Sequence, residues 1–214
     1  MGRLVSRTRE EEPDAVGVFV VGSYACGTAE PTSDLDLQAV TLAAPRVVYR
    51  TWFVGDLHVS VGAKSTDELR RRRSVPAAWS LGFAVDAPAV WVWSTAAAVA
   101  ALGDPPHVAR PPGEPQLEDF VESCAKALRA ADPVALRVAA RDMGETAPVL
   151  LRDLNAPCTV RNRVEAVRAA LELELAPDGW ADDLAALLAL APADDAHVRA
   201  AAERLARGLL ALLR

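Results

Sequence analysis

The sequence predicts an α+β protein: a mixed sheet with flanking helices, followed by an α-helical bundle domain. Three observations predict it. Between residues 15 and 93 the apolar residues come in short runs and alternations divided by glycine, proline and aspartate turns, as in strands. After Ser94 the apolar spacing changes to a helical repeat of three and four. Between the two lies a proline-rich stretch, Asp104-Pro105-Pro106 to Arg110-Pro111-Pro112, with the composition of a connector. The predicted domains are therefore 1–104 and 113–214.

Ala15 to Val21 is a continuous apolar run stopped at Gly22, which fits a buried central strand. The turn Glu30-Pro31-Thr32-Ser33 leads into a second strand over Leu35 to Leu42. Arg46 to Val54, Gly55-Asp56 and Leu57 to Val61 read as a β-hairpin, with Gly-Asp where a two-residue turn needs positive φ. Ser65-Thr66-Asp67-Glu68-Leu69 reads as a capped helix start, and the basic run Arg70 to Arg73 after it as a solvated helix face. Ala89-Val90-Trp91-Val92-Trp93 has the character of an edge strand. Ser94 is expected to cap an alanine-rich helix that stops at Gly103. Beyond Pro115, Leu117, Phe120, Val121, Cys124 and Leu128 fall on one helical face, which puts Cys124 in the core. Asp132-Pro133 is an N-cap with a first-turn proline, and further helices are expected at about 158–175, 179–191 and 193–213.

Composition narrows the function. With 214 residues, each half is long enough to bury a core. The formal net charge of −6 argues against a nucleic-acid partner, which would need a concentrated basic surface. No apolar run reaches the roughly 18 residues needed to cross a bilayer, and the charged N-terminus lacks a signal-peptide core. The expected protein is soluble and cytoplasmic. Cys26, Cys124 and Cys158 are odd in number and far apart, which excludes a disulfide framework and gives no zinc spacing.

The chemistry concentrates between residues 22 and 36. A strand ending in Gly22-Ser23 lets the backbone approach a ligand, because glycine has no Cβ in the way. The Ser23 hydroxyl and the amides after it can then hold phosphate oxygens. Asp34 and Asp36 are two apart on a strand, so both carboxylates point to one face while Leu35 and Leu37 point to the core. Carboxylates so placed repel each other without a cation; with one they make a hard oxygen site suited to Mg²⁺, or Mn²⁺ in its place. An Asp-X-Asp pair alone is common on exposed strands. The combination is specific: strand, Gly-Ser, ten residues, then Asp-hydrophobic-Asp-hydrophobic on the next strand.

At these residues the sequence resembles the DNA-polymerase-beta-like nucleotidyltransferases, whose signature is hydrophobic-Gly-Ser, a short spacer, then Asp-hydrophobic-Asp or Glu. Val21-Gly22-Ser23-Tyr24-Ala25-Cys26-Gly27-Thr28-Ala29 through Ser33-Asp34-Leu35-Asp36-Leu37 carries the likeness, and residues 16 to 42 bound it. It is most similar to bacterial nucleotidyltransferases of the aminoglycoside adenylyltransferase kind, which also place a helical bundle after the catalytic domain. The resemblance implies the nucleotidyltransferase fold, a nucleoside triphosphate bound at Gly22, Ser23, Ser33 and Asp34, and Mg²⁺ on Asp34 and Asp36. It also implies transfer of a nucleoside monophosphate, most simply AMP from ATP, to a small hydroxylated acceptor.

Two departures qualify that expectation. In relatives a third carboxylate stands on a later strand; in Leu57-His58-Val59-Ser60-Val61 alternation puts His58 and Ser60 on the corresponding face. Asp56 in the preceding turn, or Asp142 and Glu145 in the helical half, are the alternative acids. His58 can act as a general base there, and it also reads as a polar residue on a partly exposed strand. Cys26 stands where relatives often carry arginine, and reads as a small packing residue. Lys64, Arg50, Arg161 and Arg163 are candidate triphosphate contacts that read as readily as surface charges. The leading expectation is a metal-dependent nucleotidyltransferase acting on a small molecule. The alternatives are a catalytically impaired relative that binds nucleotide or a partner and regulates, and a protein-modifying antitoxin. A homodimer is compatible with each.

Overall fold

The computed structural model describes residues 1–46, 48–103 and 108–213. Its strands are β1 (Ala15–Val21), β2 (Leu35–Thr41), β3 (Tyr49–Val54), β4 (Leu57–Ser65), β5 (Ala84–Ala87), β6 (Val90–Ser94), β7 (Val108–Arg110) and β8 (Thr159–Val160). Its helices are α1 (Gly2–Glu11), α2 (Gly22–Cys26), α3 (Thr66–Arg73), α4 (Ala96–Leu102), α5 (Leu117–Arg129), α6 (Pro133–Leu151), α7 (Arg163–Leu171), α8 (Trp180–Leu187) and α9 (Asp195–Leu212). The chain divides into one unit of Met1–Pro76 with Val85–Pro111 and another of Ala77–Ala84 with Pro112–Arg214.

In the first unit five strands form a sheet in the order β3-β4-β2-β1-β6. The β2–β4 pair is parallel, and β1–β2, β1–β6 and β3–β4 are antiparallel, so the predicted mixed sheet is present. The predicted hairpin is β3–β4, turned at Gly55 with φ +61. The predicted edge strand is β6. Both sheet faces are covered in part. One carries the core of Val18, Val20, Leu35, Leu37, Val59, Val61 and Trp52, against which Leu4 of α1 packs. Arg7 and Arg9 of α1 lie 4.5 and 4.4 Å from the ring centres of Trp52 and Trp93, holding that helix by cation–π attraction. The other face buries Phe19, Val40, Ala89 and Leu102.

Ser65 caps α3 as expected, accepting from the Glu68 amide at 3.2 Å. The basic run that follows is only partly a solvated face. Arg70 donates to the carbonyl of Ala101 and Arg73 to that of Leu102, satisfying carbonyls left open at the end of α4.

The second unit is helical. Phe120, Leu136, Met143, Leu151, Leu184, Leu205 and Leu209 are fully buried, with alanines between them. Asp132 caps α6 through a 2.8 Å bond from the Ala135 amide, with Pro133 in the first turn. Arg199 of α9 donates to the carbonyls of Ala127, Leu128 and Ala130, closing the end of α5. Trp180 Nε1 donates to the Ala170 carbonyl at 2.6 Å, which lets the indole be buried without a lost hydrogen bond.

Four expectations need correction. Thr95, not Ser94, caps α4: Ser94 is held in β6 by pairing with Gly17, and the Thr95 hydroxyl accepts from the Ala98 amide. The connector is not structureless throughout, because Val108–Arg110 pairs with Val85–Ala87; Asp104, Pro105 and Pro106 lie outside the described residues, as does Val47 of the hairpin. On α5 only Phe120 of the expected face is buried, with Ala127 two turns on; Leu117, Val121 and Leu128 are exposed and Cys124 is half-buried. The helix expected from 158 begins at Arg163, where Asn162 caps it, because Thr159–Val160 is extended.

Candidate active site

The site is built on the beginnings of β2 and β4, which the parallel ladder sets side by side. Asp36 pairs in register with Ser60, Gln38 with Gly62 and Val40 with Lys64, so these residues share a face. Leu35 and Leu37 are 3% and 2% exposed on the opposite face, and anchor the intervening carboxylate to a rigid strand.

At the end of β1 the chain turns directly into the single-turn helix α2. Gly22 makes that turn at φ +70, a region that favours glycine. A Cβ there would stand 2.8 Å from Asp36 Oδ2, so the carboxylate occupies the space that a side chain would fill. Ser23 is half-buried at the start of α2, and its carbonyl accepts from the Thr28 amide at 2.9 Å. The Ser33 hydroxyl accepts from the Glu30 amide at 2.9 Å and closes the turn that delivers Asp34.

The faces of β4 follow the predicted alternation. The Ser60 hydroxyl donates to Asp36 Oδ1, and His58 Nδ1 lies 3.8 Å from Asp34 Oδ2. Thus the two residues on the β4 face where the resemblance implies an acid are the two that face the carboxylates. His58 is also flanked by Phe53, its cross-strand neighbour, with ring centres 5.1 Å apart. Phe53 is 69% exposed on this face. The hairpin register would have found it, since Phe53 and His58 are placed symmetrically about Gly55-Asp56.

The donor set suits a divalent cation that brings most of its own ligands. Among the described residues neither Asp34 nor Asp36 carries a lysine or arginine partner, so two negative oxygen donors share a face without a countercharge. No group of three or more His, Cys, Asp or Glu side chains converges among those residues. That arrangement fits Mg²⁺, which keeps several waters and binds through one or two carboxylates plus substrate phosphates.

Of the other candidates, Lys64 donates to Gln38 Oε1 at 2.7 Å, and burial holds its amine below the usual lysine range. Arg50 pairs with Glu11 at 3.0 Å, and Arg161 with Glu165, so both are engaged within their own units. In the helical unit Glu145 lies between Arg141 at 3.0 Å and Arg163 at 3.4 Å, and Asp142 is exposed.

Two comparisons bear on this geometry. Residues 1–71, which include every site residue on β2 and β4, match a family model described as a nucleotidyltransferase domain. Residues 116–214 match one described as a nucleotidyltransferase substrate-binding domain. No curated protein matches the chain. The chain therefore belongs to the nucleotidyltransferase family, with both of the domains that make up an aminoglycoside nucleotidyltransferase-like protein.

Proposed function

We propose that the protein transfers a nucleoside monophosphate, most simply AMP from ATP, to a hydroxyl of a small-molecule acceptor. The observation that carries this is the carboxylate pair Asp34 and Asp36, the second set over Gly22, with no lysine or arginine partner for either among the described residues. Asp34 and Asp36 would hold Mg²⁺ or Mn²⁺, which supplies charge neutralisation at the reacting phosphate. Gly22 lets the triphosphate approach the backbone, and Ser23, with the turn held by Ser33, borders it. The acceptor oxygen bonds to the α-phosphorus, the bond to the β-phosphate oxygen breaks, and pyrophosphate leaves. With Nδ1 turned toward Asp34, Nε2 of His58 is the ring nitrogen left to take the acceptor's proton. Residues 113–214 act as the acceptor-binding domain, and 1–104 as the nucleotidyltransferase domain, of a cytoplasmic enzyme.

The test is to incubate the protein with each labelled nucleoside triphosphate, Mg²⁺ or Mn²⁺ and a panel of hydroxylated acceptors, and to follow pyrophosphate release. Turnover that disappears in Asp34→Asn supports the reading. Tight triphosphate binding with no release for any acceptor sinks it.

One observation favours a second reading, a nucleotide-binding regulator. Ser60, a neutral hydroxyl, meets Asp36 on the strand where relatives carry their third acid. Ser60→Asp separates the two: a gain in transfer locates the missing acid at this position, whereas an unchanged rate in an active enzyme leaves the proton to His58.

A further inference from the structure

We propose that Lys64, Arg72 and Arg110 form an anion site beside the carboxylate pair, and that it holds the terminal phosphates of the triphosphate and the pyrophosphate released from it. The source of the anion rests on the function proposed above; the site itself stands on the following geometry.

Lys64 lies opposite Val40, two ladder positions beyond the Asp36–Ser60 pair. Its side chain nevertheless runs back toward that pair. The ammonium is 3.4 Å from where a Cβ of residue 62 would be, so glycine at 62 leaves the room it occupies. Its charge therefore sits one ladder position, roughly 7 Å along the strand, from Asp36. Gln38 fixes it there. The Gln38 amide nitrogen donates to the carbonyls of Ala39 and Gly62 at 2.8 and 2.6 Å, which commits its oxygen to accept from Lys64. That acceptor is neutral, so the lysine's charge is oriented without being cancelled.

Two arginines share this environment. Arg72 stands on α3, which contacts both β4 and β7, Arg110 stands on β7, and the charges of both act on Lys64. Arg110 Nε is buried with no hydrogen-bond partner among the described residues. A buried guanidinium N–H normally has one, so this donor is open to an acceptor that the described residues do not supply. The carboxylate of Glu68, bonded to Arg72 at 2.9 Å, is the acid whose charge acts on Lys64, set against three cations. Burial and the charge of Arg72 hold Lys64 and Arg110 below their usual ranges, as expected of cations that lack an anion. The surplus is local, in a protein whose formal net charge is −6. It also gives a role to a third arginine of the basic run of α3: Arg70 and Arg73 close α4, and Arg72 serves this cluster.

The experiment is calorimetric titration of the full chain with inorganic pyrophosphate, ATP, AMP and inorganic phosphate, for the wild type, Lys64→Gln, Arg72→Gln and Arg110→Gln. The expected result is about tenfold weaker pyrophosphate and ATP binding in each variant, since each removes one charge-assisted contact, with AMP unchanged. Arg72 is on an exposed helix face, so Arg72→Gln keeps the test open if a strand variant does not fold. Pyrophosphate binding that no variant weakens overturns the site. Variants that weaken only inorganic phosphate, leaving ATP unaffected, overturn its assignment to the triphosphate and give it to an anionic acceptor. Failure of the proposed function is separable: pyrophosphate that binds through the three cations, with no transfer to any acceptor, removes the enzyme and keeps the site.

Discussion

Asp183 on α8 is 3% exposed and takes hydrogen bonds of 2.5 to 3.2 Å from Arg204, so its charge is answered from within the chain. Asp36 on β2 is half-buried, and its partner is a serine hydroxyl. Both are carboxylates fixed on regular elements, and the difference is the countercharge. Where the fold supplies an arginine, the acid is part of the architecture: the pair satisfies itself, and breaking it would strand a charge. Where the fold supplies only a neutral donor, and clears a side chain from Gly22 to make room, the acid keeps its charge unanswered among the described residues, as the proposed metal role requires.

The largest effect that follows is on transfer. Asp36→Asn, which keeps the shape and can still accept from Ser60, is expected to lower pyrophosphate release about a thousandfold while the melting temperature barely moves. Full activity in this variant would erase the contrast. Asp183→Asn should behave in the opposite way. It is expected to cost about 2 kcal/mol of stability, read by urea unfolding, because the carboxylate is buried and its arginine is half exposed. For a chain of this size that is a fall of roughly 4–8 °C, with transfer per folded molecule unchanged. Gly22→Ala lies between them. Positive φ and a Cβ against Asp36 Oδ2 together should cost about 1–2 kcal/mol, and the displaced carboxylate should cost transfer about tenfold. Smallest is Ser60→Ala, expected to change stability by about 1 kcal/mol or less, since the carboxylate it releases is open to water. A larger loss would place Asp36 with Asp183 among the architectural acids.

Much of this contrast was legible in the sequence, though unevenly. The strand residues 15–21, the alternation at Leu35-Asp36-Leu37 and the hairpin about Gly55-Asp56 are local patterns, and the sheet uses them as they read, except that Asp34, expected on the strand, lies just before it. His58 and Ser60 could be assigned to the carboxylate face from parity alone. The α5 stripe was misread because in this unit alanines share the fully buried positions with the large residues. Ala127, Ala147, Ala166, Ala170, Ala201 and Ala202 are fully buried, while Leu117 and Val121 lie half in solvent, and hydrophobicity ranks leucine first. The strand Val108–Arg110 was hidden behind prolines that favour a connector reading. Asp183–Arg204 and the Lys64–Gln38 bond join residues 21 and 26 apart across different elements, so no window of sequence contains the reason for them.

The parallel ladder between β2 and β4 also has a kinetic meaning. The hairpin β3–β4 closes over two residues and belongs to the fast events of folding, whereas β2 must find β4 across the intervening strand, with Asp36 and Ser60 24 residues apart. A chain that has formed only its hairpin holds His58 and Ser60 beside each other with no carboxylate to face. In a refolding experiment, nucleotide affinity should therefore return with the slower phase, making the ligand a reporter of the pairing of β2 with β4.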